Sequence, residues 1–318
     1  MAVLNIVVLN PLADRHKEVI KAAEPNINII VSDEKTVPEH MPECHILVTW
    51  GWAETQHLYQ AAPHLEWIHA LSAGVEKLLF PEIQAADTIL TNSKGIHSIP
   101  VSEHLLAMML AFSRGLTLSI RQQNARIWER VPTDELHEHT LAIIGLGAIG
   151  REIAKKAKAL GMTVLASKQE MTTELFVDKL YLPDSDSLQE MLAQADYVVV
   201  ALPLTENTKN LIGLKQFTIM KPSAYFFNIA RGGIVNEADL VTALEQKLIR
   251  GAGLDVFTHE PLPESSPLWT MPNVIITPHV AALSPAYLDR AIKLFADNLT
   301  RFIQGRDMIN LVDKGKGY

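Results

Sequence analysis

Gly145-Leu146-Gly147-Ala148-Ile149-Gly150 stands directly after the apolar run Leu141 to Ile144 and opens a helix-like stretch that reaches Leu160. Glycines at this spacing suit a dinucleotide-binding turn. They permit a tight bend, a close approach to pyrophosphate and intimate helix-to-strand packing. A bare hexapeptide of this kind turns up by chance in about one chain in ten of this length, so its setting carries the reading. A strand before it and a helix after it aim the helix amino end at a phosphate. Gly145, Gly147, Ala148, Ile149 and Gly150 are therefore the expected cofactor contacts of this turn.

Outward from this turn, a series of short apolar runs opens with Thr140 to Ile144. It continues through Met162 to Ala166, Tyr197 to Ala201, Ala224 to Phe227, Gly251 to Asp255 and Val274 to Thr277. Helix-like segments such as Ala148 to Leu160 and Glu237 to Gln246 separate most of them, which is the signature of a parallel, doubly wound sheet. The residue after the second strand of such a unit selects the cofactor, because an acid there bonds the ribose hydroxyls and repels a phosphate. Here Ser167-Lys168-Gln169 stands instead. A hydroxyl and a lysine suit an added phosphate, so the expected cofactor is NADP(H) rather than NAD, with Glu170 near enough to oppose it.

Upstream, between Asn5 and Leu90, the runs Ile6 to Leu9, Ile27 to Val31, Ile46 to Val48 and Trp67 to His69 alternate with helix-like Asp14 to Ala23 and Glu54 to Ala61. This predicts a smaller α/β domain. Ser98 is placed to cap a helix with Pro100 in its first turn and Val101 to Arg114 as its body, and Gly95 to Ser98 is the expected hinge. Downstream, Pro285 to Gln304 sets Leu288, Ile292, Phe295, Leu299 and Phe302 on one face and stops at Gly305, a helix suited to return to the first domain.

At 318 residues the chain exceeds the usual size of one domain. A formal net charge of -8 without a basic cluster argues against nucleic acid or an anionic membrane as partner. Cys44 is the only cysteine, which excludes an internal disulfide and a cysteine-rich metal site and fits a reducing compartment; a buried, inert thiol is expected. Met1 to Asn10 lacks a basic segment and a cleavage pattern and reads as a first strand. The longest apolar stretches, Leu105 to Phe112 and Tyr197 to Leu204, are too short to span a bilayer, so a cytoplasmic protein is expected.

Three later stretches supply chemistry. Asn228-Ile229-Ala230-Arg231-Gly232-Gly233, Asp255-Val256-Phe257-Thr258-His259-Glu260-Pro261 and Thr277-Pro278-His279-Val280-Ala281-Ala282 each follow a strand-type run. All three can gather at one sheet edge, where open α/β sheets bind ligands. A guanidinium holds a carboxylate through two parallel hydrogen bonds, so Arg231 would orient a small organic acid. A carboxylate favours the protonated form of a neighbouring imidazole, so His279 beside Glu260 would carry a proton to a carbonyl oxygen. Singly, each residue has an ordinary structural explanation; jointly, they stand in the order one mechanism needs.

With these residues in view, the chain resembles the D-isomer-specific 2-hydroxyacid dehydrogenases along nearly its whole length. The markers are Gly145 to Gly150, Pro203-Leu204-Thr205 with Thr208, Asn228 to Gly233, Asp255 to Pro263, and Pro272-Asn273-Val274 running into Thr277-Pro278-His279. The resemblance implies a Rossmann-type cofactor domain, 98–284, inserted into a smaller flavodoxin-like substrate domain made of 1–97 and 285–318. Both would be doubly wound parallel-sheet α/β domains. It implies that Arg231 binds substrate, that Glu260 supports His279, and that His279 exchanges the proton while nicotinamide exchanges hydride with C2 of a 2-keto or 2-hydroxy acid. It assigns Pro203, Thr208, Ala230 and Asp255 to the cofactor, the last to the nicotinamide amide, and the backbone of Ser72, Ala73 and Gly74 to the substrate carboxylate. It also implies a homodimer through the cofactor domains, with Val101 to Arg126 as the interface.

Two rivals share this architecture. A formate dehydrogenase gains nothing from a proton-delivering histidine and carboxylate, so the pair disfavours it. A nucleotide-sensing corepressor would need no catalytic trio and would be distinguished by tight cofactor binding without turnover. No metal is expected: His97 and His104 lack acidic or cysteine partners at ligand spacing, and a structural role is the preferred reading. Trp50 and Trp52 either line a pocket or pack, and Trp128 is expected in the core.

Overall fold

The computed structural model describes residues 3–51 and 55–315. Trp52 and the starts of two expected elements, Met1 and Glu54, fall outside these residues. The chain separates into two compact units, 1–96 with 284–318 and 97–283.

The first unit is built on β1 (Leu4–Val8), β2 (Ile27–Val31), β3 (Ile46–Thr49), β4 (Trp67–Ala70) and β5 (Ile89–Asn92). They pair in parallel in the order β2-β1-β3-β4-β5. β3 and β4 are buried at every position because helices cover both sheet faces, which is why they read as unbroken apolar runs. The helix Tyr287–Ile303 packs on the helix Asp14–Ala23. It buries Ile292, Phe295 and Leu299 and stacks Phe295 on Trp67, ring centroids 5.0 Å apart. Beyond it, the Asn92 amide donates to the Asn310 carbonyl, which ties the last segment to β5.

The second unit contains β6 (Thr140–Ile144), β7 (Thr163–Ser167), β8 (Lys179–Tyr181), β9 (Tyr197–Val200), β10 (Tyr225–Asn228), β11 (Gly251–Leu254) and β12 (Val274–Ile276). All pair in parallel, in the order β12-β11-β10-β9-β6-β7-β8. The strand order reverses between β6 and β9, so a crevice for ligand opens outside their carboxyl ends. One face carries an apolar core around Phe217, Phe226 and Leu254, and the other a core around Leu105, Ile153 and Phe227. Each unit is thus a doubly wound α/β layer structure.

Two expectations need correction. Ser98 is not at the N-cap position: the helix runs Ser98–Ser113 with His97 at the N-cap, so Ser98 is already in the first turn. Trp128 is not in the core but fully exposed, beyond the helix Leu116–Ala125, which itself buries no residue within the chain.

Candidate active site

Because β6, β9, β10, β11 and β12 are parallel, the segments that leave their carboxyl ends share one edge of the second unit's sheet. The glycine turn leaves β6, the Pro203 to Thr208 turn follows β9, and Arg231, Glu260 and His279 follow β10, β11 and β12 in that order.

Local hydrogen bonds fix the β10 to β12 side of this edge. Buried Asn228 accepts from the Ala230 amide at 3.1 Å and donates to the Arg231 carbonyl at 3.0 Å, which folds the backbone back beneath the exposed guanidinium. Gly232 lies so close to the Phe257 carbonyl that an added Cβ would come within 2.0 Å of it, so only glycine lets the arginine turn rest on the glutamate turn. The Phe257 amide donates to Glu260 Oε1 at 3.0 Å, and the other carboxylate oxygen, Oε2, lies 2.7 Å from His279 Nδ1. Burial opposes ionisation of Glu260, but the His279 and Phe257 hydrogen bonds and the charges of His279 and Arg231 outweigh it and hold the carboxyl below its ordinary range. An ionised carboxylate only accepts, so Nδ1 carries a hydrogen and Nε2 is the atom available for proton exchange.

The Arg231 charge also acts on His97, whose imidazole is lowered to about 4 by burial first and by that charge second. At neutral pH His97 is therefore uncharged, and the positive charge beside it belongs to Arg231.

His279 itself occupies a left-handed backbone conformation, φ 54°, which costs a non-glycine residue energy and persists only where the surroundings impose it. Asp255 imposes it. The aspartate is 1% exposed and accepts from Thr277 Oγ1 at 2.6 Å and from the Val280 and Ala281 amides at 2.9 Å each. Its own carbonyl accepts from the His279 amide. The Thr277 hydroxyl donates its hydrogen bond to Asp255, so its oxygen accepts from His104 Nε2, 2.9 Å away on the helix Ser98–Ser113. His104 and Thr277 are neighbours of the candidate site that sequence spacing did not reveal, since 173 residues separate them.

On the nucleotide side, Gly145 has φ 101°, and an added Cβ would lie 2.7 Å from that of Leu202. At Gly150 an added Cβ would meet the Gly145 carbonyl at 2.5 Å, so this glycine serves helix-to-strand packing. Gly147, at the N-cap of the helix Ala148–Ala159, would meet nothing within 4 Å. No internal packing requires a glycine there, and its bare backbone together with the helix amino end fits a pyrophosphate. The residues present therefore fit a dinucleotide.

Ser167 is buried, and its hydroxyl accepts from the Gly145 amide at 3.3 Å, so it buttresses the turn. Lys168 lies 2.8 Å from Glu174 and 3.0 Å from Thr172 Oγ1. The acid that meets this lysine is Glu174 and not the nearer Glu170. Thr208 Oγ1 donates to the Pro203 carbonyl at 2.7 Å and accepts from the Thr205 amide at 2.7 Å, closing that turn upon itself.

In the first unit, Ser72, Ala73 and Gly74 follow β4. The Ser72 hydroxyl donates to the Gly74 carbonyl at 2.6 Å, and Asn92 donates to the Ala73 carbonyl at 2.9 Å. Trp50 stacks on Tyr287 and donates to Asn10, which makes it a packing residue. Cys44 is buried, and burial pushes its thiol up to about 12. Among the described residues no histidine, cysteine and acid group is arranged to hold a metal, and no helix is long and apolar enough to cross a membrane.

Residues 106–281 match the model of the D-isomer specific 2-hydroxyacid dehydrogenase NAD binding domain. The D-3-phosphoglycerate dehydrogenase of Methanocaldococcus jannaschii is 30% identical over 98% of this chain, which spans only 59% of that protein's length. The solved structure of a D-isomer specific 2-hydroxyacid dehydrogenase family protein from Aeromonas salmonicida superposes with a TM-score of 0.87 at 36% identity, covering 98% of this chain and 99% of that one. An NADPH-dependent glyoxylate/hydroxypyruvate reductase from Sinorhizobium meliloti, solved with NADP and sulfate, gives 0.82 at 26% identity and covers 99% of this chain and 100% of its own.

Proposed function

Since this chain belongs to the D-isomer specific 2-hydroxyacid dehydrogenase family, we propose that it is an NAD(P)H-dependent reductase that converts a small 2-keto acid to its D-2-hydroxy acid. The observation that carries this reading is the 2.7 Å pairing of His279 Nδ1 with Glu260, next to the charge of Arg231. The nicotinamide supplies the hydride when bound. Arg231 holds the substrate carboxylate and the neighbouring oxygen by charge-assisted hydrogen bonds. Imidazolium His279 gives its Nε2 proton to the C2 oxygen as negative charge develops there, and Glu260 stabilises the imidazolium and fixes its ring. The reverse direction uses neutral His279 as base.

The glycine turn from Gly145 to Gly150, with Pro203, Thr208 and Ala230, is assigned to the cofactor, and Ser72, Ala73 and Gly74 to the substrate carboxylate. Asp255, assigned by resemblance to the nicotinamide amide, also holds the His279 loop. NADP(H) is preferred over NAD on the strength of Lys168, and the NADP-bound Sinorhizobium relative supports that choice. The protein is assigned to the cytoplasm. It is read as a homodimer, because Leu116, Leu118, Ile120 and Ile127 present an apolar surface that a second copy would cover.

A panel of 2-keto acids headed by glyoxylate and hydroxypyruvate, each assayed with NADPH and NADH, tests the assignment. Turnover with at least one pair, lowered by about 10² to 10⁴ in His279→Gln, is expected. Tight cofactor binding with no turnover of any keto acid would move the protein to the binding class.

A further inference from the structure

Next to the glycine turn the fold has assembled two cations around one acid. Arg151, in the first turns of the helix Ala148–Ala159, donates to Glu174 in bidentate fashion, Nε to Oε2 at 2.8 Å and an Nη to Oε1 at 2.7 Å. Lys168, the residue directly after β7, donates to the same Oε1 at 2.8 Å, and Thr172 Oγ1 adds a contact at 3.0 Å. Glu174 has a side chain only 9% exposed, whereas Arg151 is about half exposed at 47%. Both cations adjoin the turn: Arg151 follows Gly150 in the chain, and Lys168 follows Ser167, to which the Gly145 and Leu146 amides donate hydrogen bonds. The position after the second strand is where ribose chemistry is read, an acid serving a free 2'-hydroxyl and an arginine serving a 2'-phosphate.

We propose that Glu174 is a built-in competitor for the 2'-phosphate of NADP(H), occupying the guanidinium and ammonium that this phosphate needs and thereby setting the balance between NADPH and NADH. The inference rests on the cofactor reading above. A phosphate with two negative charges and three acceptor oxygens satisfies a guanidinium and an ammonium together better than a single carboxylate does. To bind there it must first displace Glu174 from its two cation partners. NADH, with hydroxyls at the same ribose, leaves the ion cluster intact. Glu174 thus acts against the phosphorylated cofactor without touching the reacting atoms, and the sequence signal at Lys168 overstates the preference for it.

Dissociation constants for NADPH and NADH, measured by fluorescence titration of the purified full chain, test this directly. Glu174→Gln is expected to tighten NADPH by about 10-fold, the worth of one released charge-assisted hydrogen bond, while NADH changes by less than about 2-fold. In the Lys168→Ala background the same change should gain markedly less. Inorganic phosphate and 2'-AMP, titrated as competitors, should follow NADPH, and 5'-AMP should follow NADH. Equal shifts for both cofactors, or weaker NADPH binding in Glu174→Gln, would overturn the inference. Should Glu174→Gln not fold, Glu174→Asp, too short to span both cations, takes the same titrations with the same expected direction. A folded wild type that binds neither cofactor would instead sink the cofactor reading, and this inference with it.

Discussion

The carboxyl edge of the second sheet has two ends built on different principles. At the β10 to β12 end, the side chains proposed to react stand on backbone clamped by buried polar groups: Asn228 under Arg231, Asp255 under His279. At the β6 to β7 end, the selective side chains Arg151, Lys168 and Glu174 are held by one another, through ion pairs that can exchange partners. Proton transfer needs a reacting atom fixed in place, whereas choosing between cofactors needs only a difference in binding energy. The first end is therefore rigid by construction and the second adjustable.

The contrast is tested most severely at His279. His279→Gln should lower kcat by about 10² to 10⁴ while the NADPH dissociation constant stays within about 2-fold. A parallel loss of cofactor affinity would mean that the two ends are not separable. One step back, His104→Leu removes the donor to Thr277 and should lower kcat about 10-fold, the equivalent of one hydrogen bond. His104→Gln, able to donate from a similar distance, should recover most of it, and the KM for NADPH should not move in either variant. If the glutamine fails to rescue, His104 only fills space.

A smaller effect is expected from His97. Its folded pKa lies at about 4 against an ordinary 6.5, so between these values the unfolded chain binds more protons and stability falls as pH drops. Fully buried His69, lowered to about 3 by burial alone, contributes in the same direction. His97→Gln should flatten the stability curve between about pH 6.5 and 4 by up to about 1.4 kcal/mol per pH unit, as read by thermal unfolding at stepped pH. An unchanged slope would show that His97 is accessible to protons in the folded state.

The same contrast governs how much of the molecule is legible in its amino-acid sequence. Parallel strands covered on both faces need unbroken apolar runs, so β6, β7, β9, β10, β11 and β12 stand out along the chain. Edge strand β8 is three residues long and begins with an exposed lysine, and nothing in Lys179-Leu180-Tyr181 marks it. The clamped end is legible because each reactive residue follows its strand within a few positions, as Arg231 follows Asn228 and His279 follows Ile276. The adjustable end is only half legible. Lys168 announces itself by position, but Glu174 comes from the irregular stretch between β7 and β8, where no periodicity sets which acid turns inward. Asp255 is visible as a strand-end acid, while its link to His104 depends on how the helix Ser98–Ser113 lies across the sheet, which spacing along the chain does not encode.

Gly147 offers the means to handle the two ends independently. Its backbone, φ -85° and ψ -157°, is open to any residue, and an added methyl would touch nothing in the protein. Gly147→Ala should leave the unfolding midpoint essentially where it was, or raise stability by as much as about 1 kcal/mol, because alanine restricts the unfolded chain. Yet the methyl would stand where a pyrophosphate must touch bare backbone. Such a variant would be a well-folded apoprotein by design, in which the protonation chemistry of His279 and Glu260 can be titrated with the dinucleotide present in solution but barred from its seat.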